Sequence, residues 1–271
     1  MTGRQVAAAL RSGARVYSTL IVSTSPLWVN HAKSTGLDFV FIDIEHIPID
    51  RVTLSWMCQA YRMADLAPMV RIPEPDPYQA CMALDGGASG VIAPYVETAD
   101  QARALVGAVK FRPLKGRRLQ NFLNGKEKLE PVLDTYLRER NADSFLIVNI
   151  ESVPAMEALD DILSVPGLDG VLIGPHDLTC SLGIPEQYDH PRFKDAVLQI
   201  LTNARSKGLG FGVHFWREPE RHIEWARAGA NLIMHHGDVS IFAQSLRTDL
   251  QQIKEALQDA QPRRLPAEIA V

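Results

Sequence analysis

The chain has 271 residues, 46% of them apolar and 22% charged, which is enough to bury a large core and too apolar for a disordered polymer. Lys and Arg total 28 against 32 Asp and Glu, and the resulting formal net charge of -4 excludes a general attraction to nucleic acid or to an anionic membrane surface. Apolar runs stay far short of the roughly 20 residues that span a bilayer. The segment MTGRQVAAALRSGARVYS carries one short apolar patch without an h-region and cleavage site, so a cytoplasmic protein that meets no membrane is expected. Cys58, Cys81 and Cys180 are odd in number and widely spaced, which reads as reduced, buried thiols rather than a disulfide framework or a zinc site.

In chain order, Val-, Ile- and Phe-rich runs occupy 16–23, 39–46, 68–72, 90–96, 145–151, 170–174, 210–215 and 231–235. Runs such as FVFIDI and FLIVNI are apolar almost throughout, as a parallel strand covered on both faces requires. Helical patterns lie between them. Ser25-Pro26 opens one, Asp76-Pro77 opens another that stops at Gly86-Gly87, and Glu97-Thr98-Ala99-Asp100 opens a third. Further helices run from Arg192 to Lys207, from Glu218 to Ala228 and from Asp238 to Asp259, the last with Ile241, Phe242, Leu246, Leu250, Ile253 and Leu257 on one stripe. Strict alternation of strand and helix predicts an α/β protein of the (β/α)8 TIM-barrel class, and the absence of a glycine-rich turn after the first strand argues against a doubly wound sheet. No linker or low-complexity tract divides the chain, so residues 1–271 are read as one domain with its core between about 11 and 260. Phe111 to Ser144 is too long for a plain loop. Lys126 to Arg140 reads as an extra helix, while Gly116 to Asn121 stays unassigned and leaves room for a short strand that would shift the strand count.

Barrel active sites sit at the C-terminal ends of the strands, so the polar residues that end the apolar runs are the candidates. They are Asp43-Ile44-Glu45-His46, Arg71, Asn149-Ile150-Glu151, Gly174-Pro175-His176-Asp177, His214 and His235-His236. Glu151 and Asp177 end neighbouring strands, and two carboxylates in one mouth either hold an oxygen-liking divalent cation between them or cap the helices that follow. Arg71 either pairs with a protein carboxylate or receives one from a substrate. His46 is a general base near neutral pH or a structural imidazole. The GPHD turn is either an anion nest or a plain turn. Lys110, Arg112, Lys115, Arg117 and Arg118 read as a solvated loop, not a nucleic-acid surface, since aromatic interleaving is minimal.

The segments FVFIDIEHIP, PMVRIPEPDP, LDGGASGVIAPYVETADQAR, FLIVNIES and GLDGVLIGPHDLTCSLG, in this order and spacing, resemble the HpcH/HpaI aldolase family of metal-dependent class II pyruvate aldolases, and the resemblance runs from about Arg11 to the end of the last helix. It implies a (β/α)8 barrel that uses Mg, Mn or Co to interconvert a 4-hydroxy-2-oxo acid with pyruvate enolate and an aldehyde. It further implies Glu151 and Asp177 as metal ligands, Arg71 over the enolate oxygen, His46 as base, and Asp43 and Asp85 as its acidic support. Asn149, Gly174, Pro175, His176 and Asp177 then line the 2-oxo acid. Decarboxylation of oxaloacetate or a related acid is the alternative reaction. Four positions depart from the family pattern: Asn149 replaces a glutamine, His176 an alanine and Thr19 a tryptophan, and Lys115 to Gln120 lacks the usual glycines. The family also forms hexamers, as trimers of dimers with the final helix on a neighbour, and the stripe from Ile241 to Leu257 suits either that role or an ordinary outer-ring helix.

Overall fold

Eight apolar runs become eight parallel strands because each must be covered on both faces, and the strands close into a barrel. The computed structural model describes residues 1–216 and 218–259; the remainder of the expected 1–271 domain lies outside the described residues. In chain order the elements are α1 (Gly3–Ser12), β1 (Val16–Ile21), α2 (Leu27–Ser34), β2 (Phe39–Asp43), α3 (Arg51–Met63), β3 (Ala67–Arg71), α4 (Pro77–Asp85), β4 (Gly90–Ala93), α5 (Ala99–Lys110), α6 (Gly116–Leu123), α7 (Pro131–Arg140), β5 (Phe145–Asn149), α8 (Val153–Glu157), α9 (Leu159–Leu163), β6 (Gly170–Ile173), α10 (Pro175–Ser181), α11 (Pro191–Ser206), β7 (Gly210–Phe215), α12 (Pro219–Ala228), β8 (Leu232–Gly237) and α13 (Asp238–Ala256). Each strand pairs with the next, and β8 returns to β1 with Val16 opposite Leu232.

The two-residue period of a strand divides these runs into two cores. Phe39 and Phe41, Ala67 and Met69, Phe145 and Ile147, Leu172, and Leu232 and Met234 fill the barrel interior. Their neighbours Val40, Ile42, Val70, Leu146, Val148 and Ile173 point outward and pack under the helices. Gly90 belongs to the inner set, where a Cβ would lie 2.3 Å from the Phe145 ring. Continuing the inner set by two residues reaches Asp43 on β2, Arg71 on β3, Asn149 on β5, then Glu151, and Gly174 after β6. The alternation that builds the core therefore delivers the polar side chains to the C-terminal mouth.

The floor is closed by α1, an element absent from the strand-and-helix reading of the sequence. Thr2 and Gln5 form a capping box, Gly13 ends the helix at φ +87°, and Val6, Ala7 and Leu10 join the interior core. Asn231 Nδ2 donates to the Leu10 carbonyl at 2.9 Å, and Arg11 pairs with buried Asp169. The segment 111–144 holds α6 and α7 and no strand, so the strand numbering stands. The extra helix spans Pro131–Arg140 alone, and 116–121 is helical. Three of the five neighbouring cations are tied down: Lys110 bonds Asp169 at 2.6 Å, Arg112 bonds Asp85 at 2.9 Å, and Arg118 bonds Glu127 at 3.1 Å.

The last described helix, α13, is anchored at its first turn, where Asp238 accepts the N–H of Val22 at 3.0 Å, and leaves most of its length uncovered. In α13 only Asp238 is buried, while Phe242 and Ile253 are more than half exposed, as is Leu257 just beyond. A cleft of about 620 Å³ remains over β1 and β8, lined by Tyr17, Thr19, Ile21, Ile233 and the first turns of α13. Thr19 thus faces outward, away from the mouth. The described cysteines are free, yet only Cys58 is buried; Cys81 is half-buried and Cys180 exposed, which corrects the expectation of three buried thiols. No helix among the described residues is long and apolar enough to cross a membrane.

Candidate active site

Asp43 and Arg71 are register partners at the ends of β2 and β3. Arg71 Nε donates to Asp43 Oδ1 at 2.8 Å and Nη2 to Oδ2 at 2.7 Å, and Nε also lies 3.0 Å from Glu45 Oε2. Asp43 accepts the backbone N–H of Glu45 at 3.0 Å, which turns the chain out of the strand. Burial alone would raise the Asp43 carboxyl, but the hydrogen bonds and charge of Arg71 prevail and hold it below the usual carboxylate range. Glu45 moves the other way: burial raises it, and Arg71 and His46 offset this only in part. His46 stands at the rim with its side chain 53% exposed and Nε2 3.7 Å from Glu45 Oε2.

Across the mouth, buried Glu151 accepts the Tyr95 N–H on Oε1 at 2.8 Å and Asn149 Nδ2 on Oε2 at 2.9 Å. Asp177 sits in the first turn of α10, inside the helix rather than before it, and its Oδ1 accepts the Tyr95 hydroxyl at 3.0 Å. The other two oxygens converge. A Cβ on Gly174 would lie 2.4 Å from Glu151 Oε2 and 3.0 Å from Asp177 Oδ2. Burial pushes the Glu151 carboxyl up to about 7; the Tyr95 N–H opposes this and the Asp177 charge adds to it.

Four carboxylates, Asp43, Glu45, Glu151 and Asp177, thus share the mouth with one guanidinium, and negative charge is in excess. The donors suit a hard divalent cation: two carboxylate oxygens border the space left open by Gly174, and the buried Asn149 Oδ1 lacks a partner. Among the described residues no group of three or more His, Cys, Asp or Glu could hold a metal, so the protein would supply two ligands and leave the other positions to water and substrate.

The structure does not bring Asp85 to this cluster. It ends α4, and the C-terminal ends of the outer helices lead back to the N-terminal ends of the strands, opposite the mouth. There its exposed carboxylate pairs with Arg112. His214 lies below the mouth with Nε2 3.2 Å from the His236 carbonyl and its ring against Phe41 and Trp216; burial lowers it to about 3, an imidazole held neutral. His236 is engaged by Gln244 at 3.0 Å, and His235 packs edge-on to His222. Gly174 caps α10 and Pro175 opens it, while His176 is 60% exposed with Nε2 3.8 Å from Cys180 Sγ. Of the residues at the mouth, Glu45 is among the strand-end candidates of the sequence but without a role, and Tyr95 is not among them. Tyr95 carried a weak signal, since it is the one side chain with a polar group inside the fourth apolar run, 90–96, just beyond the end of β4.

A closed (β/α)8 barrel whose C-terminal mouth gathers paired carboxylates over a glycine, beside a doubly bonded arginine, has the architecture of a barrel enzyme. The chain belongs to the HpcH/HpaI aldolase/citrate lyase family, whose model matches residues 18–243. It is 33% identical over 242 residues to the 2-keto-3-deoxy-L-rhamnonate aldolase of Klebsiella pneumoniae, covering 89% of this chain and 88% of that one. The HpcH/HpaI aldolase of Desulfitobacterium hafniense superposes with a TM-score of 0.79 at 26% identity, over 96% of this chain and 98% of that one. The citrate synthase SbnG superposes with a TM-score of 0.79 at 29% identity, over 93% and 98%. Membership makes the chain an enzyme, a carbon–carbon lyase of the aldolase type acting on 2-oxo acids.

Proposed function

We propose that this enzyme uses a divalent cation to cleave a 4-hydroxy-2-oxo acid of the 2-keto-3-deoxy sugar acid kind into pyruvate and an aldehyde. The observation that carries this reading is that Glu151 Oε2 and Asp177 Oδ2 both border the small space left open by Gly174. The name of the Klebsiella relative supports a sugar-acid substrate. Glu151 and Asp177 would hold Mg, Mn or Co, which when bound supplies a Lewis acid for the 2-oxo group.

The chain's own groups then act in turn. Asn149 and Tyr95 fix Glu151. The substrate carboxylate lies against the first turn of α10, where Gly174 and Pro175 admit it and the N–H groups of His176 and Asp177 have no partner within the helix. Arg71, oriented by Asp43 and Glu45, steadies the negative charge that develops on the C2 oxygen. His46 takes the proton of the 4-hydroxyl, the C3–C4 bond breaks, and its electron pair is delocalised onto the C2 oxygen as the aldehyde departs. A proton returned to C3 yields pyruvate.

The assembly we propose follows from α13. Its exposed stripe and the cleft left over β1 and β8 suit one another, so two copies packing α13 against each other's cleft would cover both, and a hexamer would be three such pairs. Free thiols support a cytoplasmic setting.

The test is pyruvate release from a panel of 4-hydroxy-2-oxo acids and from oxaloacetate, after chelation and after return of Mg, Mn or Co. Cation-restored release from the hydroxy acids is expected. Release from oxaloacetate alone would make the enzyme a decarboxylase, and release indifferent to chelation would remove the roles given to Glu151 and Asp177.

A further inference from the structure

Tyr95 stands in the mouth in an unusual way. It follows β4 at φ +46°, a left-handed conformation that a bulky L-residue rarely adopts and that marks positions where something else holds the chain. Its side chain is not held there by packing, since the residue is 43% exposed. What holds it are two hydrogen bonds, both to the carboxylate pair. The backbone N–H meets Glu151 Oε1 at 2.8 Å and the hydroxyl meets Asp177 Oδ1 at 3.0 Å.

These are the outer oxygens. The inner ones, Oε2 and Oδ2, are those that converge on the open side of Gly174. Glu151 has a second support in Asn149, but among the described residues the Tyr95 hydroxyl is the one hydrogen-bond donor to the Asp177 carboxylate. Without it, a half-buried aspartate in the first turn of a short helix is free to rotate its carboxylate about χ1 and χ2.

We propose that Tyr95 is the positioning residue of the cation site, a single-residue clamp that engages the outer oxygen of each carboxylate and so presents the inner two to one ion. The inference rests on the cation reading above and adds to it the group that preorganises the ligands. Tyr95 touches neither the ion nor the reacting carbons. Its effect belongs on cation affinity and not on the chemical step.

The experiment is titration of the full-length protein with Mn²⁺ alone, without substrate, by calorimetry and by the loss of the free-ion paramagnetic resonance signal. It compares the unsubstituted enzyme with Tyr95→Phe and Tyr95→Gly, and kcat is then measured at saturating Mn²⁺. Tyr95→Phe keeps the backbone N–H and removes the hydroxyl; Tyr95→Gly also relieves the positive φ, which guards against a folding defect. The expected result is a cation affinity at least about 10-fold weaker in both variants, with kcat at saturating Mn²⁺ within a few-fold of the unsubstituted value. Unchanged Mn²⁺ affinity in both variants overturns the clamp, as does a loss of kcat that saturation does not restore. Failure of the unsubstituted protein to bind Mn²⁺ overturns the cation reading itself and the clamp with it, an outcome told apart because it needs no variant.

Discussion

Asp43 and Arg71 face each other in register across β2 and β3 and are joined by two parallel hydrogen bonds of 2.8 and 2.7 Å. Both groups are nearly removed from solvent, so the fork-to-carboxylate geometry is retained from turnover to turnover. Lysine would keep the charge and lose the fork. Arg71→Lys is therefore expected to lower kcat/KM by about 10²–10³-fold, the range for losing a preorganised donor to a developing oxyanion. Exchange of the pyruvate methyl protons in D2O, which reads enolate formation without any aldehyde, should fall in parallel. Wild-type exchange in the variant would remove Arg71 from that step.

Gly174 leaves a space between Glu151 and Asp177 that a side chain would fill. Its φ of -79° and ψ of 101° suit any residue, so alanine costs little in backbone terms. Its added methyl carbon, however, would sit 2.4 Å from an oxygen of Glu151, a buried side chain fixed by two hydrogen bonds. Gly174→Ala should abolish measurable pyruvate release and Mn²⁺ binding while moving the melting temperature by no more than a few degrees. An active Gly174→Ala enzyme would place the ion elsewhere.

His46 separates the two reactions open to this site. Cleavage of the C3–C4 bond needs a base for the 4-hydroxyl proton, whereas loss of carbon dioxide from oxaloacetate needs none. His46→Ala should cut aldol cleavage by about 10²–10⁴-fold, the usual weight of a general base, and leave oxaloacetate decarboxylation within a few-fold. Equal loss of both rates would take the base role away from His46. The side chain is 53% exposed, so no folding penalty complicates the comparison.

What the sequence made legible follows from where each signal is written. Strands covered on both faces are apolar runs, so all eight were readable, and the parity that buries Phe41, Met69 and Ile147 also carries Asp43, Arg71 and Asn149 to the mouth. The floor helix α1 was not seen because Val6 and Leu10 look like a stray patch until the barrel they plug is known. Asp85 was placed by resemblance in sequence, and the turn that ends α4 sends it to the opposite face. Tyr95 stands in an apolar run where its hydroxyl is the only hint, and the positive φ that turns it toward the carboxylates has no sequence mark. The stripe on α13 was visible, but periodicity says that a face is apolar and not whose strands it covers.

That uncovered face yields its own prediction. Phe242 is 60% exposed on α13 and lines the cleft over β1 and β8. Leaving such a stripe in water is unfavourable by roughly 25 cal/mol for each Å² that a partner would bury. Phe242→Glu should shift the sedimentation profile from an oligomer toward monomer at micromolar concentration, with an accompanying loss of thermal stability. A profile unchanged by the substitution, or a monomeric wild-type protein, would show that α13 does not join subunits.

Acid should unfold the enzyme through its buried imidazoles. Burial lowers His214 to about 3 and His222 to about 4, and it lowers His235 as well, against an unperturbed value of 6.5. Because the folded values lie below the unfolded one, the unfolded chain binds more protons across the interval between them. The stability these residues contribute is complete above pH 6.5 and is lost as pH falls toward 4 and then 3. Each such group adds up to about 1.4 kcal/mol per pH unit to the slope. Glu151, raised to about 7, acts in the opposite sense between its unperturbed value and 7, so the total slope is a poor readout. The difference between two proteins sharing Glu151 is a clean one. His214→Asn should be destabilised at pH 7.5, where the ring loses its contacts with Phe41 and Trp216, and should then lose less stability than the parent on going to pH 5. Urea unfolding at pH 7.5, 6 and 5 gives both curves. Parallel curves would mean that His214 takes up a proton without leaving the core.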